Sequence, residues 1–301
     1  MSGTGSSDRL LYSSVIVVAL VSVAHAVIFV RMAEADSLVI AAYRMLIAAV
    51  VLMPFALYGA RDEFCKLTRR EWGLIAMGSV FLALHFATWI EGVALTSIAN
   101  SVVLVTLTPV WLALWSLVVL RRPPGSRLWA AIILAVGGSG VMAWGSMKIG
   151  PETLLGDGLA LAGGLFFAAY FLVAENVRRS VGIMVFVVLV YAGSALLLWV
   201  PVLGLGLPVA GFSGQTYFAL LAIAVVSQVI GHSGFNWAVK VISPMVLALT
   251  LLAEPILSAA LGWIYFREGF GAETVVGGVL ILGAIFLGMR AGSKVAKAQT
   301  G

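Results

Sequence analysis

Charge is scarce in this chain: Asp, Glu, Lys and Arg make up 10% of its 301 residues, against about 25% in an ordinary soluble domain. With 62% hydrophobic residues, that shortage excludes a water-soluble globule, whose surface needs more polar side chain than this. One cysteine, Cys65, excludes an internal disulfide. No G-x-x-x-x-G-K-[ST] run occurs, so the chain carries no phosphate loop for ATP. No H-E-x-x-H and no acidic cluster at ligand spacing occur either, so no catalytic residue, metal or cofactor is expected. The net charge of +5 lies in short basic loops rather than one patch, so no nucleic-acid partner is expected.

Long apolar windows recur instead, at Leu10 to Val30, Leu38 to Tyr58, Ile98 to Leu120 and Met245 to Phe266. Each has about the 20 residues that cross a hydrocarbon core of about 30 Å. A backbone in lipid must satisfy its own polar groups, so a span is a helix or part of a closed barrel. The runs lack period-two alternation, which favours helices. The reading predicts an all-α integral membrane protein with ten transmembrane helices, over 10–30, 38–58, 73–95, 98–120, 127–146, 155–176, 183–204, 216–238, 245–266 and 274–290. The first run exceeds a signal-peptide core and no small-residue cleavage site with a soluble domain follows, so no cleavable leader is expected. The lipid bilayer is the expected partner. The oligomeric state is open, and a monomer is compatible with the sequence.

With the N-terminus inside, fourteen Lys and Arg fall in inside segments, while only Arg31, Lys148 and Arg267 fall outside; Arg44 lies within a span. This bias predicts both termini in the cytoplasm and, in a bacterium, residence in the cytoplasmic (inner) membrane.

The run LTPVWLALWSLVVLRRPPG (107–125) aligns with AEPILSAALGWIYFREGFG (253–271) at an offset of 146 residues. Pro109 then matches Pro255, Ala113 matches Ala259, Arg121 matches Arg267 and Gly125 matches Gly271; upstream, Ser97 matches Ser243. The match divides the chain into five-helix repeats, 1–148 and 149–301. Five is odd, so the second copy enters the membrane upside down. Two inverted repeats around a central cavity are a common build among secondary transporters. Pro109 and Pro255 fall mid-helix, where each removes a backbone donor. A matched pair fits hinges beside a substrate site, although packing alone also tolerates Pro in membrane helices.

The run LLAEPILSAALGWIYFREGFGAETVVGGVLILGAIFLG (251–288) resembles the closing helix pair of the ten-helix drug/metabolite transporters of the EamA type. The shared pattern is a mid-helix Glu-Pro, a small-residue helix, a Glu after it (Glu268) and a Gly-rich last helix. AAYRMLIAAVVLMP (41–54) resembles the family's second helix with its Arg, here Arg44, and Leu95 to Gly140 resembles the first-half closing pair. The likeness covers nearly the whole chain. It implies a secondary carrier or exporter of small metabolites, with a cavity between two five-helix halves; the aromatic amino-acid exporters are the nearest branch. The first half departs from the pattern, with Arg121, Arg122 and Pro123 where the family usually has a Glu.

Polar residues inside spans are costly and mark candidate sites. In AVVSQVIGHSGFNW (224–237), Gln228, His232 and Asn236 recur every fourth residue, with Ser227 beside them and Trp237 at the end. On an α-helix this is one face. It either lines a wet cavity or hydrogen-bonds neighbouring helices, each bond contributing roughly 0.6–2 kcal/mol. In LHFATWIEGVALTS (84–97), His85, Thr88 and Trp89 share a face; His85 either faces substrate or is a packed hydrogen-bonder. Glu254 is either a proton- or amine-binding group or a partner for the backbone that Pro255 frees. Arg44 either snorkels outward or points in toward a carboxylate. Trp89, Tyr170 and Trp237 accompany polar residues and suit aromatic or cationic cargo. Gly137, Gly138, Gly140, Gly163, Gly164, Gly277 and Gly278 read as sites of close helix approach.

Together these residues predict a transporter exporting small amphipathic metabolites, such as aromatic or apolar amino acids and related toxic compounds, by alternating access. Transport is either facilitative or proton-coupled. A polytopic enzyme acting on lipid-linked substrates would need a metal or nucleophile set that the sequence lacks. A passive channel fits the paired prolines less well than alternating access does.

Overall fold

The computed structural model describes residues 6–144, 150–267, 269 and 271–298, with side chains from residue 10 onward except at 289 and 291–298. Lys148, Glu268 and the expected boundary between 148 and 149 lie outside the described residues, as do the side chains of Arg9, Lys294 and Lys297.

Among the described residues there is no strand. Nine helical segments are long and apolar enough to cross a bilayer: α1 (Leu10–Met32), α2 (Ser37–Gly59), α3 (Arg69–Leu95), α4 (Ile98–Val118), α5 (Ser126–Trp144), α6 (Pro151–Val177), α7 (Ile183–Gly204), α8 (Gly214–Ala238) and α9 (Pro244–Phe266). A last helix, α10 (Ala272–Ala298), is apolar over the shorter stretch Ala272–Gly288. Polar residues set several starts by accepting otherwise orphaned N–H groups. Asp36 accepts from Leu38 at 2.9 Å, Ser97 from Asn100 at 3.1 Å and Ser213 from Thr216 at 3.2 Å. Thr68 and Glu71 form a reciprocal capping box at α3. Leu196, Val200 and Ile133 are 68–72% exposed, a surface that is matched to lipid and would be a liability in water.

Each helix packs on one from the other half of the chain, α1 on α8, α2 on α7, α3 on α6, α4 on α9 and α5 on α10, and α4 packs on α6 as well. The five-pair scheme is unchanged when every helix is exchanged for the one five places along. Small residues permit the closest approaches. A Cβ on Gly138 would sit 2.9 Å from the Gly277 carbonyl, and one on Gly164 would sit 2.7 Å from the Val105 carbonyl. Gly137 and Gly140 meet nothing within 4 Å and are not close-approach sites.

Both helices carrying a matched proline are broken. α4 is interrupted at Thr106–Leu107 and α9 at Leu252–Ala253, and each proline opens the second segment, where no backbone donor is needed. Pro109 leaves the Val105 carbonyl without its helical partner, and Thr108 Oγ1 donates to it at 3.0 Å. Among the described residues, the non-glycine residues with left-handed φ are Arg121 (53°) and Arg267 (58°). These too are a matched pair.

Candidate functional site

Arg44 organises the centre. It has no exposed surface and is turned inward from α2. Its Nε donates to Gln228 Oε1 of α8 at 2.8 Å. Its guanidinium carbon lies 3.9 Å from the centroid of the Phe86 ring and 6.0 Å from that of Trp89. Nη1 and Nη2 have no hydrogen-bond partner, and neither does Trp89 Nε1.

These groups wall a central cavity of about 30 Å³, room for one or two waters. Val23 and Ala26 come from α1, His85, Phe86 and Trp89 from α3, Phe167 from α6, and His232 and Phe235 from α8. Val105, Thr106 and Thr108 reach it from the break in α4, and Leu251 and Glu254 from the break in α9. The two hinge candidates, Pro109 and Pro255, thus each follow a cavity-lining polar residue. His85 Nδ1 lies 2.9 Å from the Gly163 carbonyl. Its ring stacks on Phe167 with centroids 4.6 Å apart and lies 6.1 Å from His232. Glu254 shares the cavity with Arg44, and among the described residues no hydrogen bond ties it to the backbone around Pro255.

A buried hydrogen-bond chain stands behind the cavity. Tyr170 donates to Asn236 Oδ1 at 2.8 Å. Asn236 Nδ2 donates to the Tyr191 hydroxyl at 3.2 Å, which is 3.0 Å from Ser233 Oγ. Ser233 closes the chain onto the Gln228 carbonyl at 3.3 Å. At the end of α6, Arg178 Nε donates to the Asn236 carbonyl at 3.1 Å. Burial pulls the Arg178 guanidinium below its usual pKa, against the opposing pull of Glu63.

The polar stripe of α8 is not a straight α-helical face. Ile223–His232 is a π-helix, with Ser233 N–H bonded to the Gln228 carbonyl, and its turn is wider than an α-turn. Gln228 reaches α2, His232 reaches the cavity and Asn236 reaches Tyr170. Of the nine substrate-binding candidates, His85, Trp89 and His232 line the cavity; Tyr170, Gln228 and Asn236 stand behind it, and three more lie elsewhere. Ser227 donates to the Ser22 carbonyl at 2.9 Å and ties α8 to α1. Thr88 donates back to Leu84 at 2.8 Å. Trp237 stacks on Tyr12 with centroids 4.7 Å apart. Conversely, Phe86, Phe167, Thr108 and Tyr191 were not singled out by the sequence. Of these, Thr108 had a signal, because it occupies the position matched to Glu254.

A second cavity of about 850 Å³ opens between the ends of α4 and α6 and the starts of α5 and α9. Arg122, Arg127 and Glu175 line it together with Leu112, Leu172, Met245 and Leu249. Leu112, Ala168 and Ala248 pack into a small apolar plug, joined by Trp111, Leu172 and Met245; Leu112, Leu172 and Met245 also line the vestibule, and the plug shares α4, α6 and α9 with the central-cavity residues Thr108, Phe167 and Leu251. On α4 and α9 the plug residue lies about one turn from a central-cavity residue, Leu112 from Thr108 and Ala248 from Leu251, whereas on α6 Ala168 directly follows Phe167.

The sequence model of EamA-like transporters matches residues 11–144 and matches again over residues 154–290. The chain belongs to the EamA-like transporter family. Two relatives from Archaeoglobus fulgidus, both named only as uncharacterized transporters, are similar along nearly their whole length. One is 22% identical, with 84% of this chain and 88% of the relative covered. The other is 23% identical, with 87% and 90% covered. A crystal structure of another protein superposes with a TM-score of 0.77 at 16% identity, over 94% of this chain and 98% of that one, which is a likeness of fold. The EamA-like chain is therefore an integral membrane transporter built of two copies of one repeat.

Proposed function

We propose that this transporter exports small amphipathic metabolites, aromatic or apolar amino acids foremost, by alternating access to the central cavity. The observation that carries the reading is a small, mostly apolar cavity with Arg44, His85, His232 and Glu254 set into its wall, and an apolar plug between it and a wide vestibule. A permanently open pore would leave that path open. Aromatic walls from Phe86, Trp89 and Phe167 suit ring or alkyl cargo, and Pro109 and Pro255 supply breaks at which α4 and α9 can bend.

In this reading α10 is a tenth span and the halves are inverted repeats, which is supported by the exchange symmetry of the helix pairing. The basic-residue bias puts both termini in the cytoplasm, and in a bacterium the protein sits in the inner membrane. The vestibule, flanked by Arg122 and Arg127, then faces the cytoplasm, as an exporter requires. His85, Trp89 and His232 contact cargo, and Tyr170, Gln228 and Asn236 hold the wall behind them. Glu254 takes a proton or the cargo's amine. One chain encloses the cavity, so a monomer suffices.

Flux of radiolabelled phenylalanine from proteoliposomes tests the reading. Saturation and counterflow are expected. Linear flux without counterflow identifies a pore, and turnover of added lipid-linked substrate identifies an enzyme.

A further inference from the structure

The central cavity has a surplus of donors. Arg44 is fully buried, and its Nε is committed to Gln228. That bond fixes the plane of the guanidinium and leaves the two terminal nitrogens without partners. Trp89, also lining the cavity, presents a third unsatisfied donor in its buried indole N–H. A buried donor left unmade costs roughly 1–3 kcal/mol, and more when it is charged. The species that completes this site is therefore an acceptor, and the charge makes it an anion. Two parallel N–H groups of one guanidinium match the two oxygens of a carboxylate.

We propose that Arg44 is the receptor for the cargo's carboxylate, with the Trp89 indole as a supporting donor, so that the cargo is an organic acid with one carboxylate and an apolar body. This inference rests on the export reading above. A dianionic phosphate is a poorer fit: it would have one arginine for two charges, with Glu254 on the same cavity. The rings of Phe86 and Phe167 receive the apolar body. In the present conformation the cavity of about 30 Å³ has room for water-sized species only, so the acid enters as the walls separate. An amine on the cargo is an addition that Glu254 can accept, not a requirement.

The test uses the purified full-length protein in detergent and a matched set of probes: phenylalanine, 3-phenylpropanoate, phenylalanine amide, 2-phenylethylamine and inorganic phosphate. The two carboxylates are expected to raise Tm and the other three are not. Stabilisation by the amide or amine equal to that by the acids overturns the proposal. So does stabilisation by phosphate alone, or none by either acid at about 10 mM, above a millimolar Kd. Arg44→Lys keeps the charge and loses the fork, and is expected to weaken acid binding at least about tenfold. Trp89→Phe keeps the ring and removes the donor, and remains informative if the Arg44 variant does not fold; it is expected to weaken acid binding about fivefold. Unchanged affinity in the variants that fold overturns the proposal. Amino-acid flux without carboxylate selectivity removes this inference and leaves export standing. Carboxylate-selective binding without amino-acid flux does the reverse.

Discussion

Arg44 and Gln228 lie 184 positions apart in sequence, yet one hydrogen bond of 2.8 Å from Nε to Oε1 joins them where neither reaches solvent. The bond holds α2 to α8 and fixes which way the buried Arg44 fork opens.

Replacing Gln228 with Leu removes the hydrogen-bond partner of a buried cation. The expected loss is about 2–4 kcal/mol of stability, with a lower Tm and reduced flux. Gln228→Glu keeps an acceptor and is expected to melt above the Leu variant. A Leu variant that melts with the wild type would show that the bond contributes nothing.

Tyr170→Phe leaves Asn236 Oδ1 buried without its donor. The expected cost is about 1–3 kcal/mol, read as a drop in Tm. Tyr191→Phe interrupts the same chain one bond further along, so the double variant should lose less than the sum of the two.

Leu112, Ala168 and Ala248 form the plug. Leu112→Ala should make reconstituted protein leak preloaded cargo without counterflow. Ala248→Leu overfills the same space and should slow flux while leaving cargo binding within about twofold. Equal flux in all three proteins would remove the plug from the pathway.

The vestibule's orientation is open to chemical labelling. With Cys65 replaced by Ser, Ser126→Cys adds a single, exposed thiol to the vestibule wall. A membrane-impermeant thiol reagent should reach it from the cytoplasmic side. Labelling from the outside alone would reverse the assigned orientation.

Gly164→Ala would place a methyl 2.7 Å from the Val105 carbonyl beside the α4 break, whereas Gly137 has nothing within 4 Å. The first should cost about 1–3 kcal/mol, and the second should be neutral or slightly stabilising. Melting curves of the two variants compare them directly.

Much of this architecture was legible because it rests on chemistry local to a residue. Hydropathy placed the second helix at 38–58, and it spans Ser37–Gly59. Proline cannot donate, so Pro109 and Pro255 announced the two breaks before any coordinates. The site was less legible, because its geometry depends on packing. The spacing of Gln228, His232 and Asn236 reads as one α-helical face. The π-turn that redirects them forms where Gly231 and Gly234 press onto Ala19 and Val23 of α1. Trp237 follows Asn236 directly in sequence, and adjacent helical residues do not share a face; its ring meets Tyr12 instead. Tyr191 sits in the apolar helix α7, and it is Asn236 and Ser233, distant in sequence, that give its hydroxyl a purpose.

Arg121 and Arg267 hold left-handed backbone that glycine adopts freely, and each side chain there carries a penalty on the order of 1 kcal/mol. They are therefore natural engineering handles: glycine at either position should harden the protein for crystallisation. The two changes are not equivalent during biogenesis. In the proposed orientation, losing Arg121 thins the cation-rich side that guides insertion, whereas losing Arg267 clears a cation from the opposite side. Of the two, Arg267→Gly is the safer choice for raising both yield and rigidity.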